Sequence, residues 1–114
     1  MNVREIIEVL DAEILTVDND LDLTVVAACG SDLMSDVMAY VKENVLLMTG
    51  LVSPQAIRTA EMMDIRVVCF VRGKAINPAM IELAQEKGII LLVTKNPMFI
   101  ACGKLYNAGL TGRG

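Results

Sequence analysis

What chemistry this chain offers is carried by four short polar clusters. Gly30-Ser31-Asp32, Thr49-Gly50, Arg72-Gly73-Lys74 and Thr94-Lys95 each close an apolar, β-rich run. Together they hold hydroxyls that donate and accept, a carboxylate, glycines that let a backbone come close, and three cations. Such a set suits a small anion or the phosphate of a nucleotide. Plain strand-to-helix turns use the same residue types without any ligand. The candidate ligand-binding residues are therefore Gly30, Ser31, Asp32, Thr49, Gly50, Arg72, Gly73, Thr94 and Lys95. In this reading Ser31, Asp32 and Thr49 hydrogen-bond the ligand, Arg72 and Lys95 neutralise it, and Gly50 and Gly73 admit it to the backbone.

Other constellations lead to bland readings. Asp32 and Asp36 lie four apart on one helical side, where Asp32 serves as a cap or dipole partner and Asp36 as a surface charge. Asp18-Asn19-Asp20-Leu21-Asp22 begins like a calcium loop, but Leu23 stands where the loop glycine belongs and Cys29 where the bidentate glutamate belongs. Cys29 sits at a strand end beside a helix start, a place that lowers a thiol pKa. The chain has no histidine to act as its base, so a buried, inert thiol is expected. Cys29, Cys69 and Cys102 form no Cys-x-x-Cys pair, which argues against zinc and for reduced thiols. Met34, Met38, Met62 and Met63 are expected to fill the core, with a subunit contact as the alternative. The string G-x-x-x-x-G-K-[ST] of phosphoryl-transfer P-loops is absent. We expect no catalytic set, no metal and no cofactor.

The elements that must position the clusters are marked by proline. Ser53-Pro54, Asn77-Pro78 and Asn96-Pro97 each follow an apolar run. Proline suits the first helical position and Ser or Asn suits the cap before it. Gly30-Ser31-Asp32 marks a fourth start, with Met34, Val37, Met38 and Val41 on one helical face. An opening helix over Asn2 to Leu10 has Val3, Ile6, Ile7 and Leu10 on its face and a capping-box pair in Asn2 and Glu5. Strands are predicted over Ala12–Val17, Thr24–Cys29, Val45–Thr49, Val67–Val71 and Ile89–Thr94. Ile57, Ala60 and Met63 are expected to face inward from the third helix, and Met98, Ala101, Cys102 and Leu105 to share one face of the last. Strand and helix alternate, and the later strands are continuous apolar runs, as in a parallel sheet covered on both faces. The fold class is α/β: a mostly parallel sheet of about five strands with helices on both faces, in one domain over 1–110, followed by a flexible tail at 111–114. In such sheets ligands bind beyond the carboxyl ends of the strands, where the four clusters fall.

The totals bound the function. With 114 residues there is room for one module, and 54% hydrophobic residues with a mean hydropathy of +0.53 exceed what one small core hides. A homodimer is the default that follows. Residues 1 to 36 carry nine acids and one base, while the remainder is net +4. The bases are scattered among acids, which disfavours nucleic acid. No apolar run reaches the length of a membrane helix and the start is charged, so a cytoplasmic protein with no membrane partner is expected.

Ser31-Asp32-Leu33-Met34-Ser35-Asp36-Val37, Met48-Thr49-Gly50, Val71-Arg72-Gly73 and Cys102-Gly103-Lys104-Leu105-Tyr106, in this order from about Val3 to Leu110, resemble a stand-alone DRTGG domain. The five letters themselves do not occur as a string, so Asp32, Thr49, Gly50, Arg72 and Gly73 are the positions the resemblance matches. Such domains accompany CBS pairs in regulatory pyrophosphatases, occur in phosphate acetyltransferases, and are similar to the amino-terminal domain of HPr kinases. The resemblance implies a regulator rather than an enzyme, and a redox partner enzyme for members encoded beside iron-only hydrogenases. The expected function is a non-catalytic module that senses a nucleotide or phosphorylated metabolite at its strand ends. The alternative is a homodimeric interaction domain that docks a partner enzyme and takes no small ligand.

Overall fold

In the computed structural model, which describes residues 1–40 and 43–112, the capping chemistry sets the helix starts. Helix α1 (Val3–Leu10) opens on a complete capping box: Glu5 N donates to Asn2 Oδ1 at 2.9 Å and Asn2 N to Glu5 Oε1 at 3.1 Å. Strand β1 (Glu13–Ile14) follows, then β2 (Ala27–Gly30), α2 (Met34–Tyr40) and β3 (Val45–Thr49). Helix α3 (Pro54–Met62) is capped by Ser53 and leads to β4 (Val67–Phe70). Helix α4 (Pro78–Glu86) is capped by Asn77 and leads to β5 (Ile90–Val93) and α5 (Met98–Asn107). Gly88, just past α4, has φ +68°, the left-handed stop for which glycine is suited.

The third proline pair works differently. Helix α5 begins at Met98, Pro97 occupies the cap, and no side chain caps it. Asn96 is drawn instead to the first helix, donating through Nδ2 to Leu10 O and Thr94 Oγ1, both at 3.0 Å.

The sheet order is β1-β5-β4-β3-β2, with β2 to β5 parallel and β1 antiparallel at the edge. Each parallel crossover advances one strand in the same direction, so connections of one hand put α2, α3 and α4 together on one face. Helices α1 and α5 pack against each other on the opposite face. Alternate residues of each strand divide the core accordingly. Leu47, Val68, Phe70 and Leu91 meet Met34, Val37, Ile57, Ala60 and Met80. Leu46, Met48, Val67, Cys69 and Leu92 meet Val3, Ile6, Leu10, Ala101 and Leu105.

The predicted strands at Val67–Val71 and Ile89–Thr94 are trimmed only at their ends, to Val67–Phe70 and Ile90–Val93, whereas the first two differ more. The run Ala12–Val17 keeps only Glu13–Ile14 as ladder, because Thr16 turns inward to donate to Asn19 Oδ1 at 2.7 Å and to accept from Leu91 N at 3.2 Å. In the run Thr24–Cys29, Thr24 and Val25 pair with the chain start, Val25 N donating to Met1 O at 2.8 Å, and the ladder with β3 begins at Ala27. Of the four methionines expected in the core, Met34 is buried and Met63 half-buried, whereas Met38 and Met62 are exposed. Beyond α5, Leu110 is buried and the Thr111 carbonyl accepts from Ala28 N at 2.9 Å, so the chain is tied to the outer edge of β2 through Thr111. Val41 and the last two positions of the expected tail lie outside the described residues. No helix among the described residues is long and apolar enough to cross a membrane.

Candidate functional site

Because β2 to β5 run parallel, the four polar clusters all lie along one edge of the sheet. They do not form one site. On the β2–β3 side the carboxylate of Asp32 leaves its own helix and crosses to the next loop. Its Oδ1 accepts from Gly50 N at 2.6 Å and from Thr49 Oγ1 at 3.4 Å. The cap role expected of Asp32 is thus replaced by a loop-to-loop bond, and Ser31 holds its own turn, accepting from Leu33 N at 3.1 Å. Lys74 arrives from the β4–α4 loop and donates from Nζ to Gly50 O at 2.6 Å. Gly50 is therefore gripped at both its N–H and its C=O. A Cβ there would lie 3.3 Å from Asp32 Oδ1 and 3.5 Å from Lys74 Nζ, so an added methyl would press on the side chains that hold this loop.

Both threonines of the expected site are structural. Thr49 is fully buried, and its hydroxyl accepts from Leu51 N at 3.1 Å besides bonding to Asp32. Thr94 is 1% exposed, donates to Leu10 O at 2.7 Å and accepts from Asn96 N at 3.3 Å. Burial and these bonds commit both hydroxyls to neighbouring protein atoms. Gly30 also serves packing: a Cβ there would stand 2.8 Å from Cys102 Sγ, so the missing side chain lets α5 lie close over β2.

On the β4–β5 side, Arg72 (φ +68°) and Gly73 (φ +61°) are both left-handed, which turns the chain sharply back toward β5. Arg72 N donates to Asn96 O at 3.0 Å and Gly73 N to Thr94 O at 2.8 Å. Beyond this turn the helices that follow β4 and β5 part to opposite faces, which is where an open α/β sheet forms its crevice. A cleft of about 390 Å³ lies there. Gly73, Lys74, Ala75 and Ile76 form one wall, Val93, Thr94 and Lys95 the second, and Asp11, Ala12, Glu13 and Leu15 the third. The volume falls among small-ligand pockets, roughly 300–1,000 Å³.

Of the predicted residues, then, Gly73, Thr94 and Lys95 line the cleft, exposed Arg72 sits beside it, and Gly30, Ser31, Asp32, Thr49 and Gly50 lie outside its lining. Sequence reading missed Asp11, Glu13 and Leu15, and did not carry Lys74 into the site. The signal for the first three is the register of β1, which sets Glu13 opposite Val93, and that pairing is not readable from one strand's letters.

The thiols are quiet. Burial, then Cys102, pushes Cys69 up to about 12. Burial likewise raises Cys102, and raises Cys29 together with the nearby Cys102 and Asp36. All three are protonated near neutrality, which removes their nucleophilic form.

No family model matches the chain, and no curated protein matches it. Among solved structures it is similar to the crystal structure of the CBS and DRTGG domains of the regulatory region of Clostridium perfringens pyrophosphatase, complexed with the activator diadenosine tetraphosphate. The TM-score is 0.77 at 14% identity, covering 91% of this chain. This chain spans 45% of the length of that one. At this identity the likeness is one of fold, and the fold is the DRTGG-like one that the sequence blocks lead us to expect.

Proposed function

We propose that this DRTGG-like domain is a non-catalytic regulatory module that senses a small phosphorylated ligand in the cleft between β1, β5 and the β4–α4 loop. The observation that carries the reading is that cleft, open at the carboxyl ends of β4 and β5 with Lys74 and Lys95 on two of its walls. An ammonium group supplies charge-assisted hydrogen bonds to phosphate oxygens. The solved pyrophosphatase region of the same fold is regulatory and was crystallised with a nucleotide activator, which supports the reading for this chain. The protonated thiols and the committed threonine hydroxyls support a binding role over a catalytic one.

Thermal melting against a panel of nucleotides and sugar phosphates tests this. A ligand at about a hundred times its Kd stabilises the folded state by roughly 2.7 kcal/mol, which a melt reads as a saturable rise in Tm. The rise is expected to shrink strongly in Lys95→Met, which keeps the aliphatic stem over Gly73 and removes the charge. A panel with no saturable shift would overturn the reading.

A second reading is favoured by the outer side of α5, where Phe99 is 86% and Tyr106 72% exposed. Here the domain works through protein contact, as a homodimer or on a partner enzyme, and Lys95→Met leaves that contact untouched.

A further inference from the structure

The cleft carries charge of both signs in separate places. Lys74 and Lys95 belong to the loops after β4 and β5, whereas Asp11 caps the end of α1 and Glu13 opens β1. Opposite charges sharing a space this small ordinarily pair. Among the described residues none of these four makes an ion pair; the salt bridges there join Arg4 to Asp22 and Lys87 to Glu61. Lys74 donates to Gly50 O, and an ammonium has three N–H groups, so two remain for another acceptor. The rest of the lining is largely aliphatic: Ala12, Leu15, Ala75, Ile76 and Val93.

A bare phosphate, or a chain of phosphates, satisfies only the lysine end and is repelled by the two carboxylates. The lining suits a ligand that combines an anion, hydroxyl donors and a flat apolar body. Carboxylates accept well from the paired hydroxyls of a ribose, a use of Asp and Glu familiar from dinucleotide sites. Resting on the phosphorylated-ligand reading above, we infer that the ligand is a ribonucleotide. Its phosphates meet Lys95 and Lys74, its base lies against Leu15, Ile76 and Val93, and its ribose hydroxyls donate to Asp11 and Glu13.

Titration calorimetry on the full chain tests this with ADP, 2′-deoxy-ADP, ribose 5-phosphate, phosphoserine and inorganic phosphate. Asp11 is left-handed (φ 49°), a conformation that asparagine also tolerates, so Asp11→Asn keeps the backbone. The expected order is ADP tightest, with 2′-deoxy-ADP and the Asp11→Asn/Glu13→Gln variant each weaker by about tenfold or more, the loss of one or two well-placed hydrogen bonds. Lys95→Met is expected to weaken every phosphorylated compound alike. If ribose 5-phosphate or phosphoserine binds as tightly as ADP, or the carboxylate variant binds ADP unchanged, the ribonucleotide inference falls while the phosphorylated-ligand reading stands. If no compound binds, both fall.

Discussion

Cys69 shows how far one buried side chain sets a property of the whole fold. It lies on the α1–α5 face of β4 with no exposure, and burial raises its thiol from an ordinary 9.0 to about 12. Between those values the folded chain keeps a proton that the unfolded chain has lost, so stability falls as pH rises. The effect is absent below pH 9.0 and grows by about 1.4 kcal/mol per pH unit inside the window. Cys29 and Cys102 are raised as well and act in the same direction. The urea midpoint is expected to drop above pH 9.0, and Cys69→Ala to flatten that drop while costing about 1 kcal/mol of packing at neutral pH. An equally steep decline in Cys69→Ala would show that the alkaline loss has another origin. The same scale explains why the candidate site was only partly legible. Thr49 and Thr94 have the letters of ligand-binding hydroxyls, yet both point into the protein and saturate on neighbouring atoms. Letters give a side chain's chemistry and not its direction.

Between elements, the contacts that matter are those where one loop or helix touches a glycine of another. Asp32 and Lys74 tie the β2–α2 and β4–α4 loops to Gly50 in the β3–α3 loop. Asp32→Ala removes a charge-assisted bond at a partly solvated position and is expected to cost about 1–2 kcal/mol in urea unfolding, with Asp32→Asn costing less because it keeps an acceptor. Equal losses in the two variants would mean that the bond to Gly50 N is not what stabilises the loops. Across the sheet, Gly30→Ala drives a methyl toward Cys102 Sγ, 2.8 Å from the ideal Cβ position. A cost of about 1 kcal/mol is expected, largely relieved in the Gly30→Ala/Cys102→Ala double variant. Strict additivity in that cycle would place the strain elsewhere. Helices and central strands were readable because capping residues, periodicity and apolar runs agree with one another, as at Ser53-Pro54 and Val45–Thr49. Edge elements were not, since β1 and the start of β2 are shaped by partners distant in sequence: Leu91 and Met1. Asn96 escaped its cap for the same reason, because Leu10 offers its side chain a carbonyl from across the fold.

For the molecule as a whole, the question is where the apolar excess goes. A compact monomer of 12.4 kDa is expected to show roughly 6,100 Å² of surface, and this chain shows 6190 Å². Unusual compaction therefore does not hide the 54% of hydrophobic residues; part of them face outward. Phe99, Gly103 and Tyr106 fall at i, i+4 and i+7 along α5, on the side away from buried Ala101 and Leu105. On the contact reading proposed above, these two exposed aromatics are where a second copy of the chain would seat, a two-fold axis letting each copy supply the same face. The expected outcome in sedimentation equilibrium is a mass near twice 12.4 kDa at micromolar concentration. Phe99→Glu is expected to give the single-chain mass and a Tm that no longer rises with protein concentration, with the fold otherwise intact, since Phe99 contributes little to its own core. A monomeric parent protein, or a dimer that Phe99→Glu leaves intact, would rule out α5 as the contact. Ligand binding and association can also be separated: the cleft lies on the β1 side of the sheet, while α5 packs toward β2 and β3. If the domain is a sensor, ADP binding survives Phe99→Glu; if its work is contact alone, Phe99→Glu abolishes that work and Lys95→Met does nothing.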